Sequence, residues 1–261
     1  MSPVAAEADA DPAESMQGTG LGCYVYGVVA ADAVIPKSLS GIDGRPVRLV
    51  RHGEVAAVVA DISADRPPGR RKDLVAHGSV LDTLCTSCTV VPVRFGSLLA
   101  DDHSVVEDFL ALHEDRFAAY LTELADRSQY NLRAIYHQNL ALEEIVRADP
   151  KIAQLRRQTR DLPSPQGHGV RIRLGELVAH ALDAKRSEDT DILLESIVPF
   201  TASHAVRPLR DVDDAADLAF LVDDDRAAEF EQQLEDLAEA VHERMRLRLV
   251  GPVAPYDFVE D

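Results

Sequence analysis

Residues 216–250 read ADLAFLVDDDRAAEFEQQLEDLAEAVHERMRLRLV, and they carry the cleanest pattern in the chain. The run 216–222 reads as a strand, and Asp225 is placed to cap a helix. Phe230, Leu234, Leu237 and Val241 then recur at steps of three or four, so they share one helix face. Residues 245–250 read as a closing strand. Working outward, 205–209 is a further strand and 130–137 opens the unit. Between them lie helical stretches at 138–148, 151–160, 171–186 and 191–198, the second capped by Asp149 with Pro150 at its first position. LPSPQGHG at 162–169 is a break. The order is strand, helices, strand, strand, helix, strand, the split βαβ or ferredoxin-like order.

The other half also mixes strands and helices. Residues 23–29, CYVYGVV, form a β-branched and aromatic run of strand length. Two more strands, 46–50 and 55–60, flank Arg51-His52-Gly53-Glu54, whose glycine supplies a hairpin turn. DRPPGRRK at 65–72 is a loop, and 73–84 is a helix with Leu74, Val75, Val80, Leu81 and Leu84 as candidate core. Ser104-Val105-Val106-Glu107 matches a capping box. It opens a helix with Val106, Leu110, His113, Phe117, Tyr120 or Leu121, and Leu124 on one face. His113 is either a ligand or a core histidine bonded to a carbonyl. The expected fold class is α+β with two domains: an N-terminal one at 21–128 and a ferredoxin-like one (βαββαβ with extra helices) at 129–250. Residues 1–20 are expected to be a disordered acidic tail, and 251–261 a C-terminal tail.

The 261 residues carry 27 basic and 45 acidic side chains, a formal charge of −18. Such a surface repels nucleic acid and anionic lipid. No run is apolar for 18 residues, and the first twenty lack the basic start and apolar middle of a secretory signal. A cytoplasmic protein is expected. Cys23, Cys85 and Cys88 are too few for a disulfide framework, and Cys85-Thr86-Ser87-Cys88 lacks a second ligand pair for zinc, with His77 and His103 at no ligand spacing. Two half-buried thiols at a helix end are the simpler reading.

No phosphate-cradling glycine motif, nucleophile elbow or H-E-x-x-H occurs. Glu143, Glu144 and Glu176 read as a wet helix face. Seven aspartates within 211–225 lack calcium-loop spacing and read as solvated turns around a strand. No cofactor, metal or catalytic residue is expected. One stretch stands apart: VVPVRFGSLL at 90–99 sets a single arginine in apolar sequence. Pro92 suits an edge strand ending at Arg94. With Phe95 turned into the core, Arg94 is either a buried pairing arginine or a partner-binding one at a groove.

VVPVRFGSLL resembles the V-(L/V)-P-(L/V)-R-F-G-(T/S) segment of the GvpL/GvpF family of gas vesicle proteins. Tyr24-Val25-Tyr26-Gly27-Val28 resembles its opening strand, and Arg173-Leu174-Gly175-Glu176-Leu177-Val178 its R-L-G-E-L-V helix. Ala219-Phe220-Leu221-Val222 with Phe230 resembles its A-F-L-V strand, and 251–259, GPVAPYDFV, its G-P-W-P-P-Y-x-F-V ending, with Val253 where the family has tryptophan. The resemblance spans about 22–260. It implies a non-enzymatic accessory or minor structural protein of gas vesicle assembly, cytoplasmic and associated with the vesicle, with two α+β domains. Its implied partners are the small apolar shell subunit (GvpA-type) and other gas vesicle proteins, with no nucleic acid or membrane among them. Arg94, Phe95, Tyr256 and Phe258 are the candidate partner-binding residues. The tail around Tyr256 alternatively folds back on its own protein. Two other readings stay open: a cytosolic enzyme with an unrecognised interdomain site, and a redox- or metal-responsive regulator using Cys85 and Cys88.

Overall fold

A computed structural model describes residues 20–63, 66–137, 140–161 and 167–260. The expected acidic tail falls at 1–19, outside the described residues, as does most of the expected break, at 162–166. The chain divides into two units, Met1–Thr122 and Glu123–Asp261, each built on one antiparallel sheet with helices.

The first unit is organised by β1 (Leu21–Ala30), whose eight interior residues are all buried. A strand covered on both faces needs a near-continuous apolar run, and Cys23–Val29 supplies it. β1 pairs on one side with β3 (Val55–Ser63), which carries β2 (Arg48–His52) on its far edge. The hairpin between β2 and β3 turns at Gly53, where φ is +50°. On the other side β1 pairs with β4 (Val91–Pro92) and β5 (Leu98–Leu99), two pieces of the arginine-bearing stretch. Helix α1 (Arg71–Cys85) buries His77, Val80, Leu81 and Leu84, while Leu74 and Val75, expected in the core, are exposed.

Helix α2 (Asp102–Ser104) runs through a π-helical segment, Val105–Leu110, into α3 (Ala111–Glu123). Its cap is Asp101, which accepts the Ser104 N–H at 2.8 Å, so Ser104 lies inside the helix and the expected capping box does not form. The π turn widens the repeat. The buried positions are therefore Val105, Leu110 and Phe117, with Val106 and His113 half-buried. His113 sits where the helix departs from regular geometry and meets the Phe117 ring edge-on at 6.0 Å.

The second unit runs β6 (Arg127–Tyr136), α4 (Leu140–Ala148), α5 (Pro150–Asp161), α6 (His168–Ile197), β7 (Ser203–Val206), β8 (Asp214–Asp223), α7 (Ala227–Val241) and β9 (Met245–Val253). Its sheet is ordered β7-β8-β6-β9, every pair antiparallel. Tyr130, Leu132 and Ala134 of β6, with Leu218, Phe220 and Val222 of β8, face α6 and α7, where Leu193, Ile197, Phe230, Leu234 and Leu237 complete the core. The strand period of two sends Asn131, Arg133 and Asp217 to the opposite face.

Two expectations are corrected here. The stretches 171–186 and 191–198 are one helix of 30 residues, α6. The polar link Ser187-Glu188-Asp189-Thr190 stays helical because the Asp189 carboxylate is bound by tertiary partners, which offsets its modest helix propensity. The aspartates of 211–225 are also not all solvated turns: Asp214 and Asp217 are fully buried within β8.

Candidate functional site

The question raised by residues 90–99 has a geometric answer. Val91 and Pro92 pair with Val28 and Gly27, and Leu98 and Leu99 pair with Tyr24 and Cys23. The Val93 N–H donates to the Tyr26 carbonyl and the Val25 N–H to the Ser97 carbonyl, each at 3.0 Å. The ladder thus resumes on both sides of Arg94-Phe95-Gly96, which leave the strand as an excursion, with Gly96 at φ +102°. Arg94 is exposed at its outer side, so the buried pairing arginine is corrected. Phe95 turns inward and is half-buried.

Beneath the excursion lies a cluster of rings. The Phe95 centroid is 5.6 Å from His77 and 6.3 Å from Tyr24, both edge-on, and Tyr26 stacks on His77 at 5.5 Å. The Gly96 N–H donates to the Tyr24 hydroxyl at 3.1 Å. That hydroxyl lies 2.9 Å from His77 Nδ1, so its own proton points to the imidazole. His77 in turn bonds the Val93 backbone. Burial lowers the His77 pKa to about 4, the Val93 bond opposing this, and burial pushes Tyr24 up to about 12 against the Gly96 bond. Both rings are neutral at ordinary pH. The backbone on each side of Arg94-Phe95 is therefore anchored from below, and an exposed guanidinium is held on a rigid base.

The tail residues belong to the second unit. Tyr256 is exposed and Phe258 half-buried in the one-turn 3-10 helix Tyr256–Phe258. Asp257 between them takes a bond from Gln129 Nε2 at 2.6 Å, and its N–H donates to Gln129 Oε1 at 3.1 Å. Arg207 reaches Asp257 at 3.4 Å. The tail is thus fastened to β6 of its own unit.

Sequence reading missed the ionic clusters. On the outer sheet face Arg207 grips the buried Asp217, whose second oxygen meets Arg210 Nε at 2.7 Å. Arg133 Nε meets the buried Asp214 at 2.7 Å. Burial pushes Asp214 up, but Arg133 and the Arg210 and Asp211 N–H groups outweigh it and hold the carboxyl below its ordinary value. Below the sheet, Asp189 of α6 accepts the Tyr136 hydroxyl at 2.6 Å and pairs with Arg244 at 2.7 Å and Lys185 at 3.4 Å, while Lys185 also meets Glu144 of α4 at 2.6 Å. A hint was present: charged residues interrupting apolar runs need opposite charges somewhere in the fold.

Burial holds the paired thiols protonated, pushing Cys85 up to about 12 and raising Cys88. Cys23, Asp61 and Asp102 do converge, but Arg48 already bonds Asp61 at 2.6 Å and Asp102 at 2.7 Å. Burial pushes the Cys23 thiol up to about 12, leaving it a weak donor to Asp102.

These features define an α+β protein of two antiparallel sheets whose most distinctive motif builds an arginine-bearing bulge. The chain belongs to the gas vesicle synthesis protein GvpL/GvpF family, whose profile matches residues 22–260. It is 31% identical over 244 residues to gas vesicle protein F of Streptomyces sp. (strain CB03234), spanning 91% of this chain and 99% of the relative. Gas vesicle protein L of the same strain is 29% identical, with 90% and 91% covered. The fold matches the crystal structures of GvpF from Anabaena sp. PCC7120 (TM-score 0.79, 21% identity, 92% and 98% covered). It likewise matches GvpF from Microcystis aeruginosa (TM-score 0.77, 20% identity, 92% and 99% covered). Among the described residues no helix is long and apolar enough to cross a membrane.

Proposed function

We propose that this chain is a non-enzymatic accessory protein of gas vesicle assembly that binds the small apolar shell subunit and other gas vesicle proteins, in the cytoplasm and on the vesicle. Shell subunits expose apolar surface before they polymerise, and uncovered apolar surface aggregates. A carrier with a charge of −18 repels its own kind and keeps such a cargo dispersed. The observation that carries the reading is the clamped excursion: an exposed Arg94 and a half-buried Phe95 held by Tyr24 and His77 offer a preorganised contact. Tyr256 and Phe258 form a second contact on the other unit. The second unit is read as ferredoxin-like on its strand order, the domains meeting near residue 128.

Capture of purified shell subunit by the full chain tests this. Arg94→Ala and Tyr256→Ala are each expected to weaken capture about fivefold or more, the loss of one well-placed interfacial side chain. Unchanged capture by both variants and by their combination rejects these contacts.

A further inference from the structure

The outer face of the second sheet holds a hollow of about 180 Å³ lined by Asn131, Arg133, Arg207, Arg210, Arg248 and Val250. Four of the six are arginines and none is acidic, in a chain whose net charge is −18. Of the carboxylates that serve these arginines, Asp217 is shared by Arg207 and Arg210 and Asp214 takes Arg133, both fully buried, while the exposed Asp211 stands 3.7 Å from Arg133. Arg248 has no such partner among the described residues.

Register sharpens the point. Arg248 of β9 stands directly opposite Arg133 of β6, and like charges facing each other across a ladder repel. One row along, Asn131 faces Val250. Arg207 is saturated: besides Asp217 it donates to Asn131 at 3.0 Å and reaches Asp257. Arg210 meets Asp217 through its Nε, and its terminal nitrogens make no hydrogen bond among the described residues. The hollow thus presents the whole fork of Arg248 and the free end of Arg210, with the amide of Asn131 oriented by its neighbours. This donor set suits one planar carboxylate taken through two N–H bonds.

We infer that this hollow is a docking site for an acidic segment of a partner protein, a Glu or Asp carboxylate entering between Arg248 and Arg210. A peptide fits better than a free anion because one wall of the hollow is apolar: Val250 lines it and is 46% exposed. A small oxyanion gains nothing from that side chain, whereas a strand alternating acidic and apolar residues covers it. The inference rests on the reading that the chain works by holding another protein, and it names the chemistry of the segment held.

Fluorescence polarisation of a labelled peptide alternating Val and Glu, titrated with the full-length protein at low salt, tests the site. Binding is expected, with a loss of about tenfold in Arg248→Glu and about threefold in Arg248→Lys, which keeps the charge but not the fork. A melting curve for each variant checks folding, and Arg248 is exposed enough for both to fold. A Val–Gln peptide binding equally well overturns the inference, as does Arg248→Glu binding like the parent chain. Inorganic phosphate displacing the peptide at equal concentration makes this a free-anion site and also overturns it. Co-purification of the parent chain with other gas vesicle proteins is the separate arm. If it captures none, the functional reading fails; if only the peptide result fails, the hollow alone is at fault.

Discussion

Acid should weaken the first unit through His77, by an amount that follows from its surroundings. His77 is 2% exposed, wedged among Tyr24, Tyr26 and Phe95, and its pKa falls from 6.5 to about 4 mainly through burial. The folded pKa lies below the unfolded one, so the unfolded chain takes up the proton first. The stabilisation is complete above pH ~6.5 and is lost as pH falls toward about 4. At about 1.4 kcal/mol per pH unit the whole shift is worth about 3 kcal/mol, of which about 2 is lost by pH 5. Protonation also removes the acceptor for the Tyr24 hydroxyl proton, so the Gly96 anchor loosens and with it the base of Arg94. The assay is urea unfolding by circular dichroism at pH 7.5 and pH 5, with hydrogen exchange at the amides of β1 reporting on this unit. The many carboxylates also titrate, so the decisive quantity is the difference between the parent chain and His77→Asn. The parent should lose about 2 kcal/mol more than the variant over that range. Equal losses would refute the reasoning.

Three further outcomes follow from the same geometry. Phe95→Ala should cost about 2 kcal/mol, a half-buried ring's share of a core truncation, while the exposed Arg94→Ala costs less than half of that, both read by chemical denaturation. Asp189→Ala strands the Tyr136 hydroxyl and removes the closest carboxylate of Arg244, while Lys185 keeps Glu144; it should cost about 3 kcal/mol, with Asp189→Asn recovering part of it, seen as graded melting temperatures. Gly41→Ala would set a Cβ 1.9 Å from the Tyr26 hydroxyl. Displacing that hydroxyl breaks its 2.9 Å bond from the Ile42 N–H. The expected loss is about 2 kcal/mol or more, measured by thermal unfolding.

Some of this architecture was legible in the residues and some was not, and the divide follows the range of the interactions. Apolar periodicity is a local property, so the strand at 23–29 inside β1, the α7 stripe of Phe230, Leu234, Leu237 and Val241, and the succession of elements along the second half could be read directly. The motif VVPVRFGSLL was conspicuous in sequence for the same reason. Its meaning was not, because the excursion exists only when both of its flanks pair with β1, about seventy residues away. Whether Arg94 is buried or exposed is settled by that pairing and by the Tyr24–His77 anchor, contacts made across the fold. The aspartates of β8 read as solvated because a carboxylate's partner has no fixed spacing; Arg133 reaches them from β6 and Arg207 from just beyond β7. The polar link around Asp189 reads as a break between two helices, since local propensity does not see Tyr136 arriving from β6 and Arg244 from the turn before β9. The sequence alone determined where chain segments want to bury one face. Only the tertiary structure decided which charges meet, because Coulomb and hydrogen-bond partners are chosen by proximity in space.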